Sequence, residues 1–104
     1  MDQNEMATRN QVIDIIRANQ SMLTDLGVVH VAVFGAVARG DDRPGSDVDI
    51  MIEVDPAKVH GILGLGRIQV RFEKMVGRSV DLARRDRLRP HVAVEAEKDA
   101  VHAF

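Results

Sequence analysis

Val31 to Val54 runs VAVFGAVARGDDRPGSDVDIMIEV. Its two ends are β-branched and apolar, and its middle is glycine-rich and charged. Val28 to Phe34 (VVHVAVF) is predicted to be a short buried strand. Gly35 to Gly45 is predicted to be a loop, with room for one helical turn at Ala36 to Arg39. From Asp47 to Val54 the chain alternates. Val48, Ile50, Ile52 and Val54 are expected to face a core, while Asp47, Asp49, Met51 and Glu53 form an acidic face left open.

Working outward, Val12, Ile15, Ile16, Met22, Leu23 and Leu26 recur at helical spacing, which predicts one helix from Ala7 to Leu26 closed by Gly27. Residues 1–6 are expected to fray, with Met6 and Ala7 able to join the helix. On the other side, Asp55-Pro56 stops the second strand. Ile62, Leu65, Ile68, Phe72, Met75 and Val76 then predict an amphipathic helix over Gly61 to Val76. Gly64 and Gly66 each cost such a helix about 1 kcal/mol against Ala, so close packing is expected at both. Gly77 ends it, Ser79 to Ala83 (SVDLA) reads as a third strand, and a terminal helix is expected through Val92, Val94, Ala96 and Val101. The order is α-β-loop-β-α-β-α in one domain, residues 1–104: an α/β (α+β) chain with a short mixed sheet flanked by helices.

The 104 residues are 45% hydrophobic and 29% charged, a globular balance rather than a disordered one. There is no Cys, which excludes disulfides, thiolate catalysis and cysteine-bound zinc. The net charge of −2 argues against generic binding to nucleic acid. No signal peptide or membrane-spanning run is visible, and a cytoplasmic protein is expected. His30, His60, His91 and His102 show no metal-ligand spacing.

Between Arg39 and Asp55 lie six acids and two bases, a local charge of −4 in a chain of −2. Asp47 and Asp49, two apart on a strand, would leave the same face about 7 Å apart and repel each other unless a cation lay between them. Hard cations such as Mg²⁺ are typically held by one or two carboxylates plus substrate phosphates. Asp81, between Val80 and Leu82, could reach the same place if the strands are neighbours. An Asp-x-Asp pair alone is also what the solvent face of an edge strand carries, and Gly35-Ala36 alone is also a simple turn. Together they suit a phosphate on the turn and its metal on the next strand. Arg84, Arg85, Arg87 and Arg89 are either a solvated approach to the last helix or a surface facing a triphosphate or an acidic partner.

Gly35-Ala36, ten residues, then Asp47-Val48-Asp49 resembles the signature of the DNA polymerase beta nucleotidyltransferase superfamily, Gly-Ser-x10-Asp-x-Asp. The finer pattern, Phe34 to Gly40 followed by Ser46 to Ile50, resembles the minimal, MNT-type nucleotidyltransferases. The likeness runs on through Gly77 to Leu82 and covers roughly Val28 to Phe104. It implies that Asp47, Asp49 and Asp81 are catalytic and bind Mg²⁺. It also implies that Gly35, Ala36 and Arg39 meet the nucleotide, ATP, with Arg39 either a phosphate ligand or a salt-bridge partner for the loop. Ser46 is expected to shape the turn before the strand. The family's serine is Ala36 here, so one hydrogen bond to a phosphate is missing, worth about 1.5 to 3 kcal/mol.

With no second domain expected, the acceptor should be a protein. The resemblance implies an antitoxin that pairs with a HEPN-domain RNase toxin and transfers AMP from ATP to one of its tyrosines. The alternative is an antitoxin with an impaired site that acts by contact. A small-molecule nucleotidyltransferase would need an acceptor domain that is not expected here, and a two-metal nuclease leaves the glycine turn without a purpose.

Overall fold

The computed structural model describes residues 8–104; the fraying of residues 1–6 and the helical start at Ala7 lie outside them. Thr8 opens helix α1 (Arg9–Ala18) with a reciprocal capping box to Gln11, the pairing that satisfies two otherwise orphaned N–H groups. The single helix expected to Leu26 is broken. At Asn19 the chain leaves helical geometry and the side-chain amide donates to the Ile15 carbonyl at 2.8 Å. Helix α2 (Gln20–Asp25) then restarts. Asn competes for backbone partners in this way and so serves better as a cap than in a helix interior. The break lets α1 bury Val12, Ile13 and Ile16 while α2 turns Leu23 into the same core. Ile13 is a core position that the periodic reading passed over.

Strand β1 (Val28–Phe34) runs straight into a short helix, α3 (Gly35–Arg39), where a loop with one turn was expected. Strand β2 (Val48–Val54) begins one residue later than predicted. Asp47 therefore stands just before the strand rather than on it. Helix α4 (Gly61–Val76) has its expected bounds, and β3 (Val80–Arg84) is shifted by one residue. A 3-10 turn (Arg85–Arg87) leads to α5 (Pro90–Asp99).

The terminal helix does not reach Val101. It stops at Asp99, and Val101–His102 forms β4, antiparallel to β1 opposite Ala32 and Val33. Further bonds hold the tail, among them Ala103 N–H donating to Val31 O at 2.8 Å and Arg17 Nε donating to Ala103 O at 2.8 Å. An unpaired strand edge offers more to this segment than one extra helical turn.

The mixed sheet has the order β3-β2-β1-β4, with β1 and β2 antiparallel and β2 and β3 parallel. Val48, Ile50 and Ile52 point to the main core, shared with α1, α2 and α4 around the fully buried Phe72. The opposite face is not open along its length: Met51 is 3% exposed, packed with Ala32 and with Ala96 of α5. Only the end of that face where β2 and β3 begin is left for the carboxylates. Among the described residues no helix is long and apolar enough to cross a membrane.

Candidate active site

Three chain segments meet where β1 ends and β2 and β3 begin. Asp49 lies opposite Phe34 in the antiparallel pair and opposite Asp81 in the parallel pair. The next residue after Phe34 is Gly35, with φ at +71°. That left-handed conformation lets β1 turn directly into α3, and it favours glycine. Space demands glycine as well. A Cβ at residue 35 would overlap Oδ2 of Asp49 and lie 3.1 Å from its Cγ. The Asp49 carboxylate thus rests on the bare α-carbon of the turn.

Asp49 is half-buried, whereas Asp47 and Asp81 are exposed. Burial, then the charge of Asp81, then that of Asp47, raises the Asp49 carboxyl above its ordinary value, and Arg39 opposes this. The structure therefore brings all three predicted carboxylates within electrostatic reach of one another. Among the described residues no three acidic or histidine side chains form a ready-made cation cage. Gathered, mutually repelling carboxylates with oxygen donors only fit a hard divalent cation whose remaining ligands come from water or phosphate.

Arg39 is bound on two sides, to Asp99 at 2.7 Å and Asp41 at 3.2 Å. Ala36 occupies the first turn of α3, where N–H groups lack intrahelical partners. Ser46 shapes the turn as expected: its Oγ accepts from Arg43 N–H at 3.0 Å. Glu53 pairs with Arg85 at 3.2 Å, away from the Asp49 end of the strand. Arg85 also reaches Glu97, and Arg84 reaches Asp86, so half of the arginine cluster is spent on local ion pairs.

Sequence reasoning missed the residues that hold the carboxylate segments in place. Arg78, almost fully buried, binds Asp42 at 3.1 Å and the Ser46 carbonyl at 2.8 Å, which anchors the loop immediately before Asp47. Glu73 accepts from Val80 N–H at 3.0 Å, and Gln69 donates to Val80 O at 3.2 Å. Both fasten the residue before Asp81 to α4. An arginine directly before a strand, between Gly77 and Ser79, was the available signal for the first. Nothing local marks the other two.

Residues 11–102 match the nucleotidyltransferase domain family. A candidate protein adenylyltransferase of Methanocaldococcus jannaschii is 30% identical over 99 residues, which span 93% of this chain and 99% of that one. The protein adenylyltransferase MntA of Thermococcus cleftensis is 26% identical, over 93% of this chain and 97% of its own. Among solved structures, a candidate minimal nucleotidyltransferase superposes with a TM-score of 0.76 at 26% identity, covering 91% of this chain and 95% of that chain. Two more distant likenesses bear on the fold alone. A chain of a toxin–antitoxin complex with AMP-PNP gives 0.67 at 15% identity, over 94% of this chain and 73% of its own. A chain from a tri-AMPylated Shewanella oneidensis HEPN toxin in complex with an MNT antitoxin gives 0.57 at 14%, over 92% and 68%.

Proposed function

The chain belongs to the nucleotidyltransferase domain family, and from that premise we propose that it is an antitoxin that transfers AMP from ATP to a tyrosine hydroxyl of a HEPN-domain toxin. The carrying observation is the in-register pair of Asp49 and Asp81 beside a turn whose glycine makes room for the first of them. The nucleotide and a protein acceptor are supported by likeness to an MntA protein adenylyltransferase, and a chain of the same fold stands in complex with an AMPylated HEPN toxin.

Asp47, Asp49 and Asp81 would hold Mg²⁺, which supplies neutralisation of the triphosphate and of the leaving pyrophosphate when bound. Gly35 gives the Asp49 carboxylate its place against the turn, since a Cβ there would overlap it. The Ala36 N–H remains a donor to a phosphate oxygen, without the hydroxyl that the family's serine adds. Arg39 exchanges one of its two carboxylate partners for phosphate. Asp81, exposed at the start of β3, takes the tyrosine proton as the phenolic oxygen bonds to the α-phosphorus and the bond to pyrophosphate breaks.

The test mixes the protein with its HEPN partner, Mg²⁺ and ATP labelled at the α-phosphate. Label on a partner tyrosine, lost when Asp47 and Asp49 are both changed to Asn, is the expected result. No label beside a working control enzyme overturns the proposal. Ala36 favours one second reading, a site too weak to act and neutralisation by contact. Neutralisation that survives the double Asn variant decides for it.

A further inference from the structure

Helix α4 carries an apolar ridge that the described residues leave uncovered. Ile62 is 86% exposed, Leu63 79% and Val70 48%. With Leu26 they line an open groove that also takes in Gly66 and the stems of Arg67 and Arg71. Single exposed aliphatics are ordinary, but several gathered on one helix beside a groove form a patch of the kind that marks an interaction site.

Two independent features say what covers it. The first is charge. Arg67, Arg71 and Lys74 are exposed, no described residue forms an ion pair with them, and no acid is among the exposed residues of α4. The stripe therefore bears three positive charges on a chain of net −2. The second is Gly66. Close packing was expected at both helical glycines, and Gly64 has it, since a Cβ there would meet Val59 at 3.1 Å. At Gly66 a Cβ would meet no described residue within 4 Å. The helix bears the cost of a mid-helix glycine with no described residue packed against it. A small residue on an exposed face lets a second helix backbone come close.

We infer that this face docks an amphipathic helix of another protein, one whose apolar ridge is flanked by carboxylates. A second copy of this chain suits the face poorly, because two-fold pairing would set its cations against their own equivalents. Phosphate backbones suit the cations but not Ile62 and Leu63. Because α4 packs on the sheet face opposite Asp49, a docked helix leaves the carboxylate end open.

The probe is a synthetic helix of about 18 residues with a leucine ridge at helical spacing. It is made in three forms: Glu-flanked, Lys-flanked and sequence-scrambled. Binding is followed by amide shifts of the isotopically labelled protein. The Glu-flanked form should bind at or below about 1 mM and move Leu26, Ile62, Leu63, Gly66 and Val70. The Lys-flanked form should bind at least about tenfold more weakly, and Leu63→Glu should abolish binding. Gly66→Ala supplies the sharpest reading, because it should raise Tm by about 4 °C and still weaken the peptide about tenfold. Equal affinity for all three peptides, or no binding, overturns the inference, as does Gly66→Ala that stabilises without weakening. Concentration-dependent dimerisation lost in Leu63→Glu assigns the face to a second copy and overturns it. Tighter binding of anionic vesicles or single-stranded RNA to the same residues does so too.

Discussion

Replacing Gly35 by Ala tests how the turn and the carboxylate depend on each other, and Gly40→Ala is its internal control. Both glycines are left-handed, at φ +71° and +78°. A non-glycine residue in that region costs about 1 to 2 kcal/mol, which in a domain of this size lowers Tm by about 4 to 16 °C. At Gly40 no described residue lies within 4 Å of an added Cβ, so the backbone cost is the whole effect. At Gly35 the methyl overlaps the Asp49 carboxylate, with Cγ at 3.1 Å and Cβ at 3.3 Å, and Asp49 must move. A misplacement of about 1 Å in a reacting group costs on the order of 100-fold in rate. Urea denaturation and initial rates of label transfer to the partner measure the two effects separately. Gly35→Ala should lose about 100-fold in rate, and Gly40→Ala only a few-fold. Combining Gly35→Ala with Asp49→Ala should cost less stability than the sum of the single changes, because the clash disappears with the carboxylate. If Gly35→Ala and Gly40→Ala match in both stability and rate, Gly35 is a turn residue and nothing more.

Ala36→Ser restores one hydrogen bond to a charged oxygen and should raise the transfer rate about tenfold or more; an unchanged rate means that no phosphate sits at that turn. Asp49→Asn should stabilise the metal-free protein at neutral pH. The Asp49 carboxyl titrates above its ordinary value in the fold, so the native state binds the extra proton and wild-type stability falls as pH rises through that window. The advantage of Asn should therefore shrink on acidification below the ordinary carboxylate range, which thermal melts across pH measure. Mg²⁺ with ATP should raise the Tm of the wild type but not of the variant with Asn at both Asp47 and Asp49. Arg78→Met leaves Asp42 without its partner in a largely buried pair and should cost about 3 kcal/mol; a loss within 0.5 kcal/mol, about the range of a neutral surface change, would show that the loop before Asp47 holds itself.

The strands were legible because period-two alternation is local: Val48, Ile50 and Ile52 face the core as their spacing implies. Helix α4 was legible for the same reason at period 3.6, with Gly77 as its stop, although Ile62, which the spacing places on its apolar side, stands exposed. The break at Asn19 was not, because one side-chain amide bonding one carbonyl leaves no trace in hydrophobic spacing. The end of α5 was not legible either. Val101 fits helical spacing, and only the free edge of β1, far away in sequence, draws it into β4.

The chain's own pattern of residues determined the first three strands, the glycine turn and the spacing of Asp47 and Asp49, since each depends on neighbours a few residues apart. Tertiary structure alone decided that Asp49 and Asp81 are partners in register, that Met51 is covered by α5, that Arg39 is held by Asp99 and that no described residue packs on Gly66. Each of these joins segments distant in sequence, or depends on what is missing from a surface, and no local spacing encodes either.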